Sequence, residues 1–441
     1  MQRAGLAVAQ FGVAIAPHAK TVWIACGPGN NGGDGLQAAQ HLLMMGKRVV
    51  VTWTGETNKL PADARAAWQS ASDAGIAFAS DPPDHYDLCV DAMFGIGSLR
   101  PLGGHYRNWV ERMNSGAAPI VAIDLPSGLN ADTGAGQCAQ LKAQYTLCLL
   151  TLKPGLFTAD GREYCGEIWF NDLGVAPTAS PCAVLSHAVP RTPRPHNSHK
   201  GSYGDVAVIG GCPGMAGAAL LAARAALHGG AGRVYVGMLD AHTLQWDDRQ
   251  PELMFRLPRD LQLDSMTVVA GCGGGGTIGT HLPHILKRAR WLVLDADALN
   301  AIAQDRNLQD LLGARGFGTT VLTPHPLEAA RLLQLTTRDI QSDRLRWAQA
   351  LASKFSCTVV LKGSGTVIAG PGTIPRINPT GNARLATAGT GDVLAGLIAA
   401  QWTGAQDSFS AACNATLHHG CIADHWPTRS APTAQDLIRY F

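Results

Sequence analysis

The sequence predicts an α/β protein of two domains, each built on a largely parallel sheet. Three observations carry that prediction. Short apolar runs alternate with helical patterns along most of the chain, as in strands paired in parallel and covered by helices on both faces. The 441 residues exceed what one hydrophobic core usually holds. Fifty-one glycines and only 15% charged residues describe a compact chain rich in loops. A net charge of +2 supplies no field for nucleic acid or an anionic membrane, so neither is expected as a partner. The 11 cysteines are odd in number and outside CxxC or zinc-ligand spacing, which fits a reducing cytoplasm better than a disulfide framework.

The elements follow in order. Ala4 to Ala16 has the outline of a signal peptide but lacks a strong basic start and leads at once into a strand, so it reads as a helix packed on a sheet. Next come a strand at Thr21 to Cys26, a helix at Gly35 to Met45, a strand at Arg48 to Thr54 and a helix at Ala62 to Ala74. Strands at Leu88 to Asp91 and Ile120 to Asp124 complete the reading of the first half. Between Ala176 and His199 the pattern breaks into Pro, Ser, Thr and His, which divides the chain into residues 1–176 and 177–441. A second alternating region begins with a strand at Asp205 to Ile209 and a helix at Gly217 to His228. It continues with strands at Trp291 to Leu294, Thr319 to Leu322 and Thr358 to Leu361. No run is long enough to span a bilayer.

In open parallel sheets ligands bind beyond the carboxyl ends of the strands. In the first half those positions hold Gly27 to Gly35, Asp91 with Gly95 to Ser98, and Asp124 to Gly128. Asn and Asp oxygens with a Ser hydroxyl are hard ligands, suited to a monovalent cation or Mg²⁺. Simple capping of helices and turns explains any one of these loops, but less easily all three. In the second half, Lys362 to Thr366 follows a β-branched strand and offers a cation and hydroxyls for nucleotide phosphates; the plainer reading is a hairpin turn with a solvated lysine. Downstream, Ala388-Gly389-Thr390-Gly391 runs into Asp392 and an apolar helical pattern. Glycines let backbone N–H groups crowd toward a ligand, the positive end of a helix favours an anion, and a carboxylate at the rim can take a hydroxyl proton. That suits phosphoryl transfer to an alcohol. The pairs His281/His284 and His418/His419 lack a third ligand at metal-site spacing and read as structural.

Taken together, GPGNNGGDG, DAMFGIG, DLPSG and TLKPGLFTADGREYCGEI resemble an N-terminal NAD(P)H-hydrate epimerase domain. SHKGSYGDVAVIGG, LDADALN, LTPHPLEAARLL, LKGSGTVIAG and TGNARLATAGTGDVLAG resemble an ADP-dependent NAD(P)H-hydrate dehydratase. The order resembles the bifunctional repair family. It implies a Rossmann-like three-layer domain followed by a ribokinase-like three-layer α/β domain, acting on R and S hydrates of NADH and NADPH. The first domain would interconvert the epimers. The second would phosphorylate the S hydrate's hydroxyl with ADP and expel it as phosphate, leaving AMP and restored cofactor. Mg²⁺, K⁺ and a homo-oligomeric state are expected with it.

Carried onto this sequence, the resemblance implies hydrate contacts at Asn30, Asn31, Gly32, Gly33, Asp34, Gly95, Ile96, Gly97, Ser98, Leu99, Arg100, Pro101 and Asp124 in the first domain. Asn31, Asp91 and Ser127 would bind potassium, and Asp124 is taken as the epimerase acid/base. In the second domain Ala218, Gly273, His325 and Asp392 would contact the hydrate, with Asp392 as the base. Lys362, Gly363, Ser364, Gly365, Thr366 and Gly391 would hold the nucleotide, and Glu328 would organise Mg²⁺. The sequence departs from the family in three places. Met1 to Gly5 resembles the interior of the family's first helical region, so an N-terminal stretch is expected to be missing. Cys272 to Gly276 stands where GPGLG is usual, and Asn382 to Leu385 where NPGM is usual. The alternative is a small-molecule alcohol kinase of the ribokinase-like superfamily with a non-catalytic N-terminal binding domain.

Overall fold

The alternating pattern folds into two sheets, one in each of two units, Met1–Ser180 and Pro181–Phe441. A computed structural model describes every residue except 98–100, 137–138, 189–192, 241–244, 404–406 and 428–429.

The first unit contains strands β1 (Thr21–Cys26), β2 (Arg48–Thr52), β3 (Ala77–Ala79), β4 (Leu88–Ala92), β5 (Ile120–Ile123), β6 (Tyr145–Leu149) and β7 (Glu167–Asn171). Its helices are α1 (Gln2–Ile15), α2 (Asn30–Met44), α3 (Ala62–Asp73), α4 (Gly104–Ser115) and the single turn α5 (Gly161–Tyr164). The sheet is parallel throughout, in the order β3-β2-β1-β4-β5-β6-β7. Strand order reverses between β1 and β4, which opens a crevice at their carboxyl ends. Alternate strand residues feed the two covering layers: Val22 and Ile24 pack with α1 to α3, while Trp23 and Ala25 pack with α4. Small residues bring α1 onto α2, since a Cβ on Gly5 would stand 2.3 Å from the Gln37 Cβ.

The second unit carries β8 (Val184–Leu185), β9 (Asp205–Gly210), β10 (Arg233–Met238), β11 (Met254–Phe255), β12 (Thr267–Ala270), β13 (Trp291–Leu294), β14 (Thr320–Leu322), β15 (Thr358–Leu361), β16 (Val367–Ala369) and β17 (Arg376–Ile377). Its helices are α6 (Ala216–His228), α7 (Ile278–Arg288), α8 (Asp297–Gln304), α9 (Arg306–Gly313), α10 (Pro326–Leu333), α11 (Thr337–Ser342), α12 (Arg344–Phe355), α13 (Thr390–Trp402), α14 (Ser408–Asp424) and α15 (Ala434–Ile438). The strand order is β11-β10-β9-β12-β13-β14-β15-β16-β17-β8. It is parallel from β11 to β15 and then turns back through the antiparallel pairs β15–β16 and β16–β17. Helices α7 to α12 pack with one face, and α6, α13 and α14 with the other.

Two expectations change. Helix α2 begins at Asn30, not Gly35, so Asn30 to Asp34 form its first turns; glycines there hide the apolar periodicity that marks the rest. The Pro-rich stretch between Ala176 and His199 contains β8, which pairs in parallel with β17 at the sheet edge. A two-residue strand is too short to show a period of its own.

Candidate functional site

In the first unit the three loops and a fourth after β6 surround a cavity of about 970 Å³. Asn30, Asn31, Asp34, Gly95, Ile96, Gly97, Pro101 and Asp124 all line it. Gly32 and Gly33 do not. A Cβ on Gly32 would meet the Gly27 carbonyl at 2.0 Å, and one on Gly33 would reach Ala64 Cα at 3.1 Å, so both are close-packing positions. Ser98, Leu99 and Arg100 lie outside the described residues.

Beneath the cavity the buried Asp91 accepts hydrogen bonds from the Ser127 N–H and hydroxyl, both at 2.7 Å, and from the Met93 N–H at 3.1 Å. The Ser127 hydroxyl accepts in turn from the Phe94 N–H. Burial pushes the Asp91 carboxyl up to about 6, against the lowering effect of these hydrogen bonds. The Asn31 amide nitrogen is buried without a partner, and its side chain is 3.5 Å from where a Gly95 Cβ would stand. An amide, a carboxylate and a hydroxyl are the hard oxygen donors a monovalent cation takes, and amide O and N exchange places by rotation.

Asp124 sits at the end of β5 with φ +71°, a left-handed conformation rare outside glycine. Its carboxylate accepts from the Leu149 N–H at 3.2 Å and pairs with Lys153. Burial, reinforced by the nearby Asp124 charge, raises Asp34 to about 7. Lys153 was not singled out from the sequence, although it stands in the TLKPG segment directly after an apolar strand.

In the second unit the Gly-rich loop and α13 meet the ends of β12, β13 and β15. Gly389 caps α13 with φ +90°, and the helix is fixed by close packing on α6, where a Cβ on Gly396 would be 2.0 Å from the Ala222 carbonyl. Asp392, in the first turn, is brought together with Cys272 and Asp295, their ligand atoms within 4.8 Å of one another. Among the described residues these three form the only cluster of His, Cys, Asp and Glu close enough to hold a metal ion. Lys362 Nζ donates to Asp295 Oδ1 at 2.6 Å and lies 3.2 Å from where a Gly391 Cβ would be. The hairpin reading of residues 362–366 is therefore right about the turn, but the lysine is not left to solvent.

Burial, then repulsion from Asp295, raises Asp392 to about 6. Burial pulls the Lys362 ammonium down, but Asp295 and Glu328 outweigh it and the net shift is upward. Below the loop the fully buried Arg344 donates to the Leu361 and Lys362 carbonyls, both at 3.0 Å, and lies 3.1 Å from where a Gly363 Cβ would stand. It thereby fixes the strand end from which Lys362 projects.

Gly273 and Ala218 pack together, since a Cβ on Gly273 would be 2.9 Å from the Ala218 Cβ. His325 caps α10: Nδ1 accepts from the Leu327 and Glu328 N–H groups, while Glu328 Oε2 accepts from the His325 N–H at 2.8 Å. With Nδ1 accepting, the neutral ring's proton belongs on Nε2, which is 3.3 Å from Glu328 Oε1. Burial raises Glu328 to about 7. Burial, with the Lys362 charge adding to it, lowers His325. Asp295, Cys272 and Asp297, which accepts from the Gly275 N–H at 2.8 Å, are the neighbours that sequence reasoning left without a role. The one available signal was that both acids follow the apolar strand Trp291–Leu294.

Known proteins share this arrangement of segments. Residues 206–441 match the family model described as NAD(P)H-hydrate dehydratase, and residues 1–155 match the YjeF-related protein N-terminus. The bifunctional NAD(P)H-hydrate repair enzyme of Escherichia coli (strain K12) is 36% identical over 448 residues, covering 96% of this chain and 84% of that protein. Its counterpart in Leishmania braziliensis is 35% identical over 474 residues, with coverage of 96% and 84%. A solved ADP/ATP-dependent NAD(P)H-hydrate dehydratase from Bacillus subtilis, co-crystallised with ATP and Mg²⁺, is 30% identical over 57% of this chain and 92% of its own, with a TM-score of 0.47.

Proposed function

The chain belongs to the bifunctional NAD(P)H-hydrate repair enzymes, and on that premise we propose how its residues divide the work. The first unit is the epimerase and the second the nucleotide-dependent dehydratase. The observation that carries the reading is the cluster at the start of α13, where a carboxylate, a held lysine and helix N–H groups converge.

ADP is the phosphoryl donor. Its phosphates bind at the α13 N-terminus and the Lys362 to Thr366 loop, where the dipole and the ammonium offset their charge. Asp392 accepts the hydroxyl proton of the S hydrate as the oxygen attacks phosphorus. The phosphorylated oxygen then leaves as phosphate, expelled by the ring nitrogen's electron pair, and the resulting iminium ion loses a proton from the adjacent ring carbon to water, which restores the dihydronicotinamide. Ala218, Gly273 and His325 border the hydrate. Mg²⁺ would be carried by the nucleotide phosphates and would offset their charge; Glu328, both of whose oxygens face His325, would organise it through water.

In the first unit Asn31, Asp91 and Ser127 would hold K⁺, supplying a fixed positive charge at the strand ends. The hydrate fills the cavity bordered by Asn30, Asp34, Gly95 to Gly97, Pro101 and Asp124. We assign the enzyme to the cytoplasm and expect a homo-oligomer.

The test is recovery of nicotinamide absorbance from mixed R and S hydrates with ADP, Mg²⁺ and K⁺, with an epimer-resolving chromatogram at the end. ADP-dependent loss of both epimers supports two working units. Accumulation of a stable phosphorylated alcohol would turn the assignment to a kinase.

A further inference from the structure

We propose that Lys153 is the general acid of the epimerase, with Asp124 as the carboxylate that aims it; the inference rests on the first unit being an epimerase. Dihydronicotinamide is an enamine, so hydration places the hydroxyl on a carbon bonded to the ring nitrogen. Inverting that carbon requires its C–O bond to break and re-form on the opposite face, and hydroxide leaves poorly unless a proton arrives with it.

Among the described residues that line the cavity, Lys153 is the one basic side chain. Lys153 lines the cavity, is only 12% exposed, and its Nζ donates to Asp124 and, at 2.7 Å, to the Leu149 carbonyl. Of the ammonium's three protons, two go to these oxygens and the third is left with the weak acceptor Cys148 Sγ at 3.7 Å, which a substrate hydroxyl can replace. Two left-handed residues hold it there: Asp124 at φ +71° ends β5, and Leu150 at φ +64° folds the chain after β6 back toward that carboxylate. Such strain on two non-glycine residues around one ion pair marks a geometry that the surrounding structure enforces.

In the step, Lys153 transfers a proton to the hydrate's hydroxyl, the C–O bond breaks, and water departs. The ring nitrogen's lone pair forms the C=N bond of an iminium ion, leaving Lys153 as a neutral amine. Water then adds to the other face and its extra proton returns to Lys153, so protons and electrons balance over the cycle. Asp124 opposes the iminium charge throughout.

The test uses the full-length enzyme and purified R hydrate without ADP, so that only epimerisation is read. Lys153→Arg keeps the charge and the pairing with Asp124 but cannot release a proton near neutrality. We expect R-to-S conversion to fall about a hundredfold or more with hydrate affinity within about threefold. Lys153→Ala should regain rate with added methylamine and not with guanidinium. A Lys153→Arg enzyme that epimerises within threefold of the parent, or a Lys153→Ala enzyme that amines do not rescue, would overturn the assignment. A parent enzyme no faster than spontaneous epimerisation would instead remove the epimerase reading itself.

Discussion

The role proposed for Asp392 sets two opposing demands. A base must be ionised, yet burial and the Asp295 charge hold its carboxyl at about 6. The dehydratase rate should therefore rise with pH through about 6 as the carboxylate forms, which a kcat profile from pH 5 to 8 checks. Its folded value lies above the ordinary 3.8, so its contribution to stability is fully present below about pH 4 and is lost as pH rises through about 6. Asp392→Asn should then lower dehydration by about 10²–10⁴-fold while raising Tm at pH 7.5 and leaving it little changed at pH 4.5. Unaltered turnover would remove Asp392 from the mechanism. The Lys362–Asp295 pair carries a different expectation. Asp295 is only 2% exposed, so Lys362→Met strands a buried charge and should cost about 3–5 kcal/mol in urea unfolding of the second unit. Restoring neutrality with Asp295→Asn in the same chain should recover part of that stability but not nucleotide binding.

At the scale of elements, α13 does the positioning, and its two loop glycines do different jobs. Gly389 holds φ +90°, and a Cβ there would also stand 2.6 Å from Leu221 Cδ1. Gly389→Ala should lower stability by about 1–3 kcal/mol. Gly391 lies inside the helix, and its missing Cβ opens onto Lys362 and Asp295 at 3.2 and 3.7 Å. Gly391→Ala should leave Tm nearly unchanged and raise KM for ADP about tenfold, the equivalent of one lost charge-assisted hydrogen bond. A matched fall in Tm for both variants would mean that Gly391 serves packing only. In the first unit, the early start of α2 brings Asn30, Asn31 and Asp34 to the cavity while turning Gly32 and Gly33 into packing positions. Sequence spacing treated the whole GNNGGDG stretch as one binding loop; helical geometry splits it by face.

Across the whole molecule, four acids at the two candidate sites share one direction. Asp91 and Asp392 are held at about 6, and Asp34 and Glu328 at about 7, in each case chiefly by burial. Acids such as Asp339 and Asp436 are lowered by Thr hydrogen bonds and stabilise only above their ordinary range. The two groups pull in opposite senses, so Tm should peak between about pH 4 and 6 and decline toward pH 8 as the raised acids ionise. A Tm that climbs steadily to pH 8 would contradict the burial assigned to these carboxyls. The strand-and-helix alternation, the polar strand ends and the pairing of a Gly-rich turn with a carboxylate were all legible in the chain, because each is a local pattern of a few neighbouring residues. The Asp124–Lys153 and Lys362–Asp295 pairs were not: their members stand 29 and 67 positions apart, and sequence offers no periodicity for a contact made by strands in a sheet. The sequence by itself determined the class of fold, the family and the loops that border the cavity and the α13 cluster, since backbone conformation and apolar burial are written residue by residue. Only the tertiary structure decided which charges face one another, because strand order, and with it the choice of neighbours at each strand end, is settled by packing the whole sheet at once.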